Sequence, residues 1–147
     1  YKGKVAVVFR SYILSYHEQN GIPAASAANA AALQGYWKPY KDLLFSKQDD
    51  WFYSTGDKLQ KQLESYFEQA SNGKGDLTKF REDMKSAAVA KKIAFDRGAG
   101  DKIKIGGTPW LYMDGEWISN KKGSDDSASL SPLEYSNRIR NLIDQKL

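Results

Sequence analysis

The first apolar run of the chain covers residues 5–9, is unbroken, and ends at Arg10. A short run without polar alternation is typical of a strand that is buried on both faces, and such strands belong to layered α/β folds. We therefore predict a buried strand over residues 5–9.

Apolar residues at helical spacing follow from His17 to about Gly100. An alanine-rich stretch over residues 24–33 predicts a first helix, because alanine is the best helix former. Pro23 fits the first turn of that helix, and Gly35 can end it.

Four more helices are predicted before residue 100 from spacing and capping residues. Asp57 and Gln60 form a capping pair for a helix that ends at Asn72 and Gly73, and Asp76 and Ser86 cap the next two. Gly98 and Gly100 are expected to end the helical region. The apolar faces contain Trp37, Tyr40, Leu43 and Leu44, then Leu59, Leu63, Tyr66, Phe67 and Ala70, then Leu77, Phe80 and Met84, then Val89 and Ile93.

Strand patterns return at residues 110–113 and 116–118, separated by Asp114 and Gly115. Asp-Gly between two apolar runs predicts a β-hairpin. Residues 120–129 are polar, and we expect an irregular loop there.

The last helix has a strong start signal in Ser131, Pro132 and Glu134, which fit a capping box with proline at the first helical position. Ile139, Leu142 and Ile143 are expected to continue its buried face. The order of elements is then a strand, about five helices, a hairpin and a helix. This order favours an α/β fold in which a group of helices is inserted into the core as a lid.

The composition excludes several kinds of metal site and catalysis. The 147 residues include no cysteine and one histidine, so disulfides, thiolate metal sites and thiol catalysis by this chain alone are excluded. No stretch approaches the roughly 20 apolar residues of a membrane span, and because no basic leader precedes an apolar run, we expect no signal peptide in this sequence. Because it starts at Tyr1 rather than at methionine, we expect a processed or truncated product.

The net charge of +4 comes from basic residues spread along the whole sequence. We interpret them mainly as solvated faces and expect no nucleic-acid partner, with an anionic partner as the alternative. The densest basic group is interrupted by Asp83, Asp96 and Asp101 and consists of Lys85, Lys91, Lys92, Lys102 and Lys104.

Few side chains offer catalytic chemistry. Asp49 and Asp50 are adjacent carboxylates that we expect to face solvent, and His17 is interpreted as a packing residue before the first helix rather than as a general acid or base. A dense aromatic group forms either the core of the helices or a cleft for a peptide. Its members are Tyr36, Trp37, Tyr40, Phe45, Trp51, Phe52 and Tyr53.

The segment Gly106-Gly107-Thr108-Pro109 lies directly before the first strand of the predicted hairpin. Proline inside a sheet is confined to an edge or a strand start, and two glycines allow the backbone before it to turn tightly. An ordinary loop ending is the alternative interpretation of the same residues.

Several motifs in order resemble the DsbA-like thiol-disulfide oxidoreductases. They are Val7-Val8-Phe9-Arg10 followed by His17, Ala27-Ala28 through Gln34-Gly35-Tyr36-Trp37, Leu44-Phe45 with Gln48 and Trp51, and Gly107-Thr108-Pro109 with the hairpin and terminal helix. The similarity spans nearly the whole chain. Each motif is modest, but their joint order is fairly specific.

The resemblance implies an α/β thioredoxin-like core, truncated at its N-terminus, with an inserted all-helical domain. The core would comprise residues 1–16 and 104–147, and the helical domain residues 17–103. The family's active site pairs a Cys-x-x-Cys motif with a facing cis-proline loop. That loop corresponds here to Gly107, Thr108 and Pro109, which are implied to bind an extended peptide, with no cofactor or metal.

The cysteines and the central strand before them would lie upstream of Tyr1, so this chain alone is expected not to be an enzyme, although its parent protein is. The expected reaction is thiol-disulfide exchange on folding proteins outside the cytoplasm, with thiol-containing peptides as partners. A missing central strand would expose two strand edges, for which a homodimer is the expected repair. Two alternatives are a redox-inactive peptide-binding module and a glutathione-dependent isomerase or transferase.

Overall fold

The computed structural model describes the backbone of residues 1–122 and 125–147, and the side chains of residues 1–122 and 129–147. A 3₁₀ turn at Ser15–His17 precedes the first α-helix. The helices are α1 Glu18–Leu33, α2 Trp37–Ser46, α3 Gln48–Trp51, α4 Gly56–Ser71, α5 Leu77–Met84, α6 Ala87–Lys102 and α7 Pro132–Lys146. The strands are β1 Leu111–Met113, β2 Glu116–Ile118, β3 Lys121–Lys122 and β4 Asp125–Ser129.

The chain divides into two compact units. One unit holds residues 10–104 and contains α1 to α6, whereas the other combines residues 1–9 with 105–147 and contains the four strands and α7. The domain bounds expected from the sequence differ from these units at residues 10–16 and 104.

The helical unit is built around a core of aromatic and small side chains. The rings of Phe67 and Phe80 stack 4.2 Å apart, and both residues are fully buried together with Tyr40. Alanines on one face of α1 let α2, α4 and α5 approach closely, since they add no bulk. The predicted face of α4 is confirmed, because Leu59, Leu63, Tyr66, Phe67 and Ala70 are all buried.

Several helix ends lie where the sequence predicts them. The side chain of Asp76 accepts a hydrogen bond from the N–H of Lys79, and that of Ser86 accepts one from Val89, so both predicted caps are confirmed. Helix α1 ends at Leu33, and Gly35, two residues later, has a φ of 83°, which fits the left-handed turn that follows many helices.

Other boundaries were predicted wrongly. Helix α1 begins at Glu18, so Pro23 lies inside the helix rather than in its first turn. Asp57 and Gln60 do not form a capping pair, because Thr55 is the N-cap and Gln60 bonds to Glu64 instead. Helix α6 continues through Gly98 and Gly100 to Lys102, since each glycine costs only about 1 kcal/mol and the packed side chains of α6 offset that cost.

Residues 5–9 do not form the predicted buried strand. No strand pairs with them among the described residues, and the side chains of Val7 and Val8 are 86% and 73% exposed. Apolar content raises strand propensity, but only a neighbouring strand supplies the hydrogen-bond partners that make a strand.

The predicted hairpin is confirmed. Strands β1 and β2 pair antiparallel with Leu111 opposite Ile118, and Asp114 and Gly115 both have positive φ, as a two-residue type I′ turn requires. A second antiparallel pair, β3 with β4, occupies most of the segment expected to be an irregular loop.

Helix α7 begins with the predicted capping box of Ser131 and Glu134, with Pro132 in the first turn. The expected buried face of this helix is less buried than predicted, because Ile139, Leu142 and Ile143 are only half-buried. The described part of this unit covers α7 on one side only, which leaves these side chains partly open to solvent.

Candidate functional site

The loop that leads into β1 is the site expected from the sequence. The peptide bond between Thr108 and Pro109 is cis, and both residues are exposed, whereas Gly107 is half-buried. Neither Gly106 nor Gly107 has a positive φ, so the bend here does not use the conformational freedom that only glycine offers.

An aromatic face begins directly after Pro109. The register places Tyr112 opposite Trp117, and Trp110 is the diagonal neighbour of Trp117 on the same face of the hairpin. The two indole rings stack 4.9 Å apart at an interplanar angle of 24°. Tyr112 and Trp117 remain 39% and 46% exposed, so this face is partly open to solvent and is not core.

The outer edge of β1 is open. Within residues 1–122 and 125–147, β1 pairs with β2 alone. The type I′ turn makes Met113 and Glu116 a hydrogen-bonded pair, and antiparallel pairs alternate between bonded and non-bonded. The N–H and C=O of Tyr112 therefore point away from β2, towards the open edge.

The opposite face of the hairpin packs against α7. The Tyr135 hydroxyl donates a 2.7 Å hydrogen bond to the carbonyl of Ile118, and burial raises the pKa of Tyr135. The guanidinium of Arg138 donates to the carbonyls of Ser119 and Lys121, at 2.6 and 3.1 Å. The Tyr135 bond ties β2 of the hairpin to α7, and the Arg138 bonds tie α7 to the segment that follows β2.

The turn of the hairpin is also held by an ion pair. The Lys146 ammonium lies 2.8 Å from the carboxylate of Asp114, and this hydrogen bond raises the pKa of Lys146. A cleft of about 340 Å³ lies between the hairpin and α7, lined by Met113, Trp117, Ile118 and Leu142 among others.

The site contains no thiol. Neither residues 105–147 nor the rest of the chain contains a cysteine, and the hydroxyl of Thr108 is an ordinary alcohol. Among the described residues, no group of acidic or histidine side chains could hold a metal ion, and no helix is long and apolar enough to cross a membrane.

The other candidate residues lie in the helical unit. His17 packs between the rings of Tyr16 and Phe52, in agreement with a packing role, and Asp49 and Asp50 are exposed, as expected. The aromatic group divides, since Tyr40 is core and Tyr36 and Trp51 pack against it, whereas Phe45 and Tyr53 are 60% and 87% exposed.

Sequence reasoning found the loop but missed the aromatic face beside it. The missed signal is the alternation Trp110, Tyr112 and, across the Asp-Gly turn, Trp117. In a hairpin these positions share one face, so the sequence carried enough information to place them together.

The site combines a cis-proline, the edge strand β1 that follows it, and the helix α7. This combination can be compared with known proteins. A family model described as thioredoxin matches residues 1–130, which include the loop and both strands of the hairpin. The chain belongs to the thioredoxin family.

One curated relative of this thioredoxin-family chain is the Na(+)/H(+) antiporter NhaA 1 of Mycolicibacterium gilvum (strain PYR-GCK). It is 28% identical over 125 residues, which cover 84% of this chain and 18% of the antiporter. The chain therefore spans a small part of that relative's length. No solved structure matches the chain.

Proposed function

We propose that this chain is the substrate-binding part of a DsbA-like protein thiol-disulfide oxidoreductase or isomerase that acts on folding proteins. In this proposal Gly107, Thr108, Pro109 and the outer edge of β1 hold an extended, thiol-containing peptide. The observation that carries it is the open edge of β1 beside Thr108 and Pro109, in a chain of the thioredoxin family.

Strand addition is the binding mode that this edge favours. An extended peptide added to a sheet edge gains backbone hydrogen bonds, and its alternate side chains contact the faces of the sheet. The outward N–H and C=O of Tyr112 would pair with the peptide backbone, and Trp110 and Trp117 would contact its side chains.

The reactive thiols would be supplied by residues outside this sequence, since it has no cysteine. In the proposed reaction one thiolate attacks a sulfur of a disulfide, the other sulfur leaves as a thiolate, and a second cysteine resolves the mixed disulfide. The attacking dithiol is oxidised to a disulfide by two electrons, and the attacked disulfide gains these electrons as it is reduced to two thiols. This chain would contribute alignment of the peptide sulfur.

A strand-blocking variant tests the binding mode. Tyr112→Pro removes the outward N–H without removing a bond of the β1–β2 ladder, because proline is tolerated where the N–H faces away from the sheet. Tyr112→Ala is the matched control, since it removes the same side chain and keeps the N–H. Binding of an extended peptide whose cysteine is replaced by serine would be measured by titration of backbone amide resonances.

We expect Tyr112→Pro to bind the peptide about 5-fold more weakly than Tyr112→Ala, which corresponds to one net hydrogen bond. Equal affinities of the two variants would contradict strand addition at this edge. Circular dichroism of both variants checks that the hairpin unit is folded.

A redox-inactive peptide-binding module is the second candidate function, and the lack of cysteine favours it. The residues that precede Tyr1 in the parent gene separate the candidates. A Cys-x-x-Cys pair there supports the oxidoreductase, a single serine or cysteine supports the glutathione-dependent class, and neither supports the binding module.

The proposed location of the parent protein is outside the cytoplasm, either secreted, in the cell envelope or anchored to the membrane. Similarity to part of a protein named as an antiporter supports the anchored form. Protease protection of the tagged parent protein in intact cells would test the location. We also propose a homodimer through exposed strand edges, which light scattering after size exclusion would test.

A further inference from the structure

A row of four aromatic rings lines a cleft in the helical unit. The ring of Tyr16 lies 4.3 Å from that of His17, His17 lies 4.7 Å from Phe52, and Phe52 lies 5.0 Å from Tyr53, all between centroids and all edge to face. Tyr16 and Tyr53 are 74% and 87% exposed. Rings this exposed add little to the core, so the row is available for contact with a ligand.

The cleft is a built feature with two walls. The 3₁₀ turn and the start of α1 form one wall, and the segment between α3 and α4 forms the other. The Asn20 side-chain amide donates to the carbonyl of Phe52 and joins the walls. The volume of about 660 Å³ lies within the range of known ligand sites. Ser15, Gln19, Asn20 and Thr55 supply neutral polar groups.

Acidic residues lie in the segments from which the two walls are built, and Glu18 is the charged residue that lines the cleft itself. Residues 11–37 and 48–57 contain Glu18, Asp49, Asp50 and Asp57 and no lysine or arginine, although the whole chain has a net charge of +4. Among the described residues no basic side chain forms an ion pair with the three aspartates. These segments therefore carry a net negative charge within a basic protein, although Arg97 of α6 lies beside the carboxylate of Glu18.

Glu18 is the carboxylate that lines the cleft itself. Its Oε1 accepts a 2.8 Å hydrogen bond from Nη1 of Arg97, and its Oε2 accepts none from the described residues. Both side chains of this pair are more than two-fifths exposed, and exposed pairs contribute little to stability. The carboxylate can therefore accept a second cation without a large loss elsewhere.

We propose that this cleft binds the cationic side chain, an arginine guanidinium or a lysine ammonium, of a polypeptide. Aromatic faces attract cations, and a guanidinium also stacks on them. The Glu18 carboxylate would pair with the charge, and the polar groups of the walls would bond to the peptide backbone beside it. The cleft lies within residues 10–104, whereas the site proposed for thiol exchange lies within residues 105–147.

Three probes test the ligand chemistry by titration of the ring resonances of Tyr16, His17, Phe52 and Tyr53. The first is acetyl-Gly-Arg-Gly-amide, the second is the same tripeptide with neutral citrulline, and the third is tetramethylammonium chloride. We expect the arginine peptide to bind at least about 5-fold more tightly than the citrulline peptide, as a weak ion pair and one cation–π contact together predict.

Variants locate the contact. Glu18→Gln is expected to weaken the arginine peptide about 3-fold and Tyr53→Ala by a similar factor, whereas Glu68→Gln, an exposed glutamate on α4 outside the cleft, should change nothing. Both cleft residues are exposed, so the variants should fold.

Any of three results in these titrations would overturn the proposal. They are equal binding of the citrulline peptide, tetramethylammonium binding as tightly as the arginine peptide, and a loss in Glu68→Gln equal to that in Glu18→Gln. Shifts confined to the amides of β1 would also overturn it, and would leave the proposed thiol-exchange function untouched.

Discussion

The indole rings of Trp110 and Trp117 stack across the hairpin 4.9 Å apart, directly after the cis bond of Pro109. The pair joins β1 to β2 on the exposed face, whereas the hydroxyl of Tyr135 in α7 donates a hydrogen bond to the carbonyl of Ile118 in β2. Both sides of a two-stranded sheet are thus fixed, although an isolated hairpin is marginally stable. A fixed edge strand binds a peptide at a lower entropic cost than a mobile one.

The coupling between the two indoles can be measured with Trp110→Ala, Trp117→Ala and the double variant. We expect a coupling free energy of about 1 kcal/mol, because aromatic pairs contribute this much beyond the area they bury. Urea unfolding of all four proteins supplies the values. Additive losses would show that the rings do not stabilise each other.

The chain alone should have no thiol-disulfide exchange activity. With no sulfhydryl group it cannot form a mixed disulfide, so we expect insulin reduction in the presence of dithiothreitol to proceed at the rate without protein. Masses before and after the assay check that no thiol contaminant is attached. Turnover above that background would refute the assignment of the thiols to residues outside this sequence.

Asp96 predicts a dependence of stability on pH. Its side chain is 1% exposed and accepts hydrogen bonds from Lys92, from Arg10 at 2.9 Å and from the N–H of Ser11 at 3.3 Å. Burial acts to raise the pKa of Asp96, but these bonds together outweigh it and the pKa is lowered. The carboxylate thus ties residues 10–11 to α6.

Because the folded pKa of Asp96 is below the unfolded value of about 3.9, its contribution is fully present above that value and is lost as the pH falls through the folded pKa. Asp96→Asn should cost about 2 kcal/mol at pH 7, and the difference from the wild type should shrink below about pH 4. Denaturant unfolding from pH 3 to 7 gives both values. Asp49→Asn, an exposed carboxylate without an ion pair, is the matched control.

Features set by a few neighbouring residues could be predicted from the sequence. The caps Asp76, Ser86 and Ser131 each bond to a backbone N–H three residues later, and the Asp114–Gly115 turn fixes its own hairpin. Such interactions depend on the local sequence alone, so they can be predicted without knowing how the rest of the chain folds.

Features that depend on distant partners could not be predicted. Residues 5–9 have strand composition but no strand beside them among the described residues, and α6 passes through Gly98 because its other residues pack. The candidate site shows the same division. The loop at Pro109 contains a motif that the sequence shows directly, whereas Tyr16 and Tyr53 line one cleft only because the helical unit folds around it.

Gly75 and Gly107 offer a matched pair of glycine-to-alanine substitutions, since neither has a positive φ. A methyl group on Gly75 would lie 2.5 Å from Cζ of Phe67 and 3.0 Å from Cβ of Ser71. Phe67 is fully buried and stacked on Phe80, so it cannot move aside without disturbing the core.

We expect Gly75→Ala to lower the free energy of unfolding by about 2 kcal/mol, the usual cost of inserting a methyl group into a packed core. A methyl group on Gly107 would meet no atom within 4 Å, so Gly107→Ala should change stability by less than about 0.5 kcal/mol. Urea unfolding followed by circular dichroism measures both changes. If Gly75→Ala leaves the free energy of unfolding unchanged, the stack of Phe67 on Phe80 is looser than its 4.2 Å separation indicates. If Gly107→Ala lowers that free energy strongly, the loop before Pro109 has no room for a side chain. Because both substitutions alter the unfolded chain equally, the difference between them isolates the contact with Phe67.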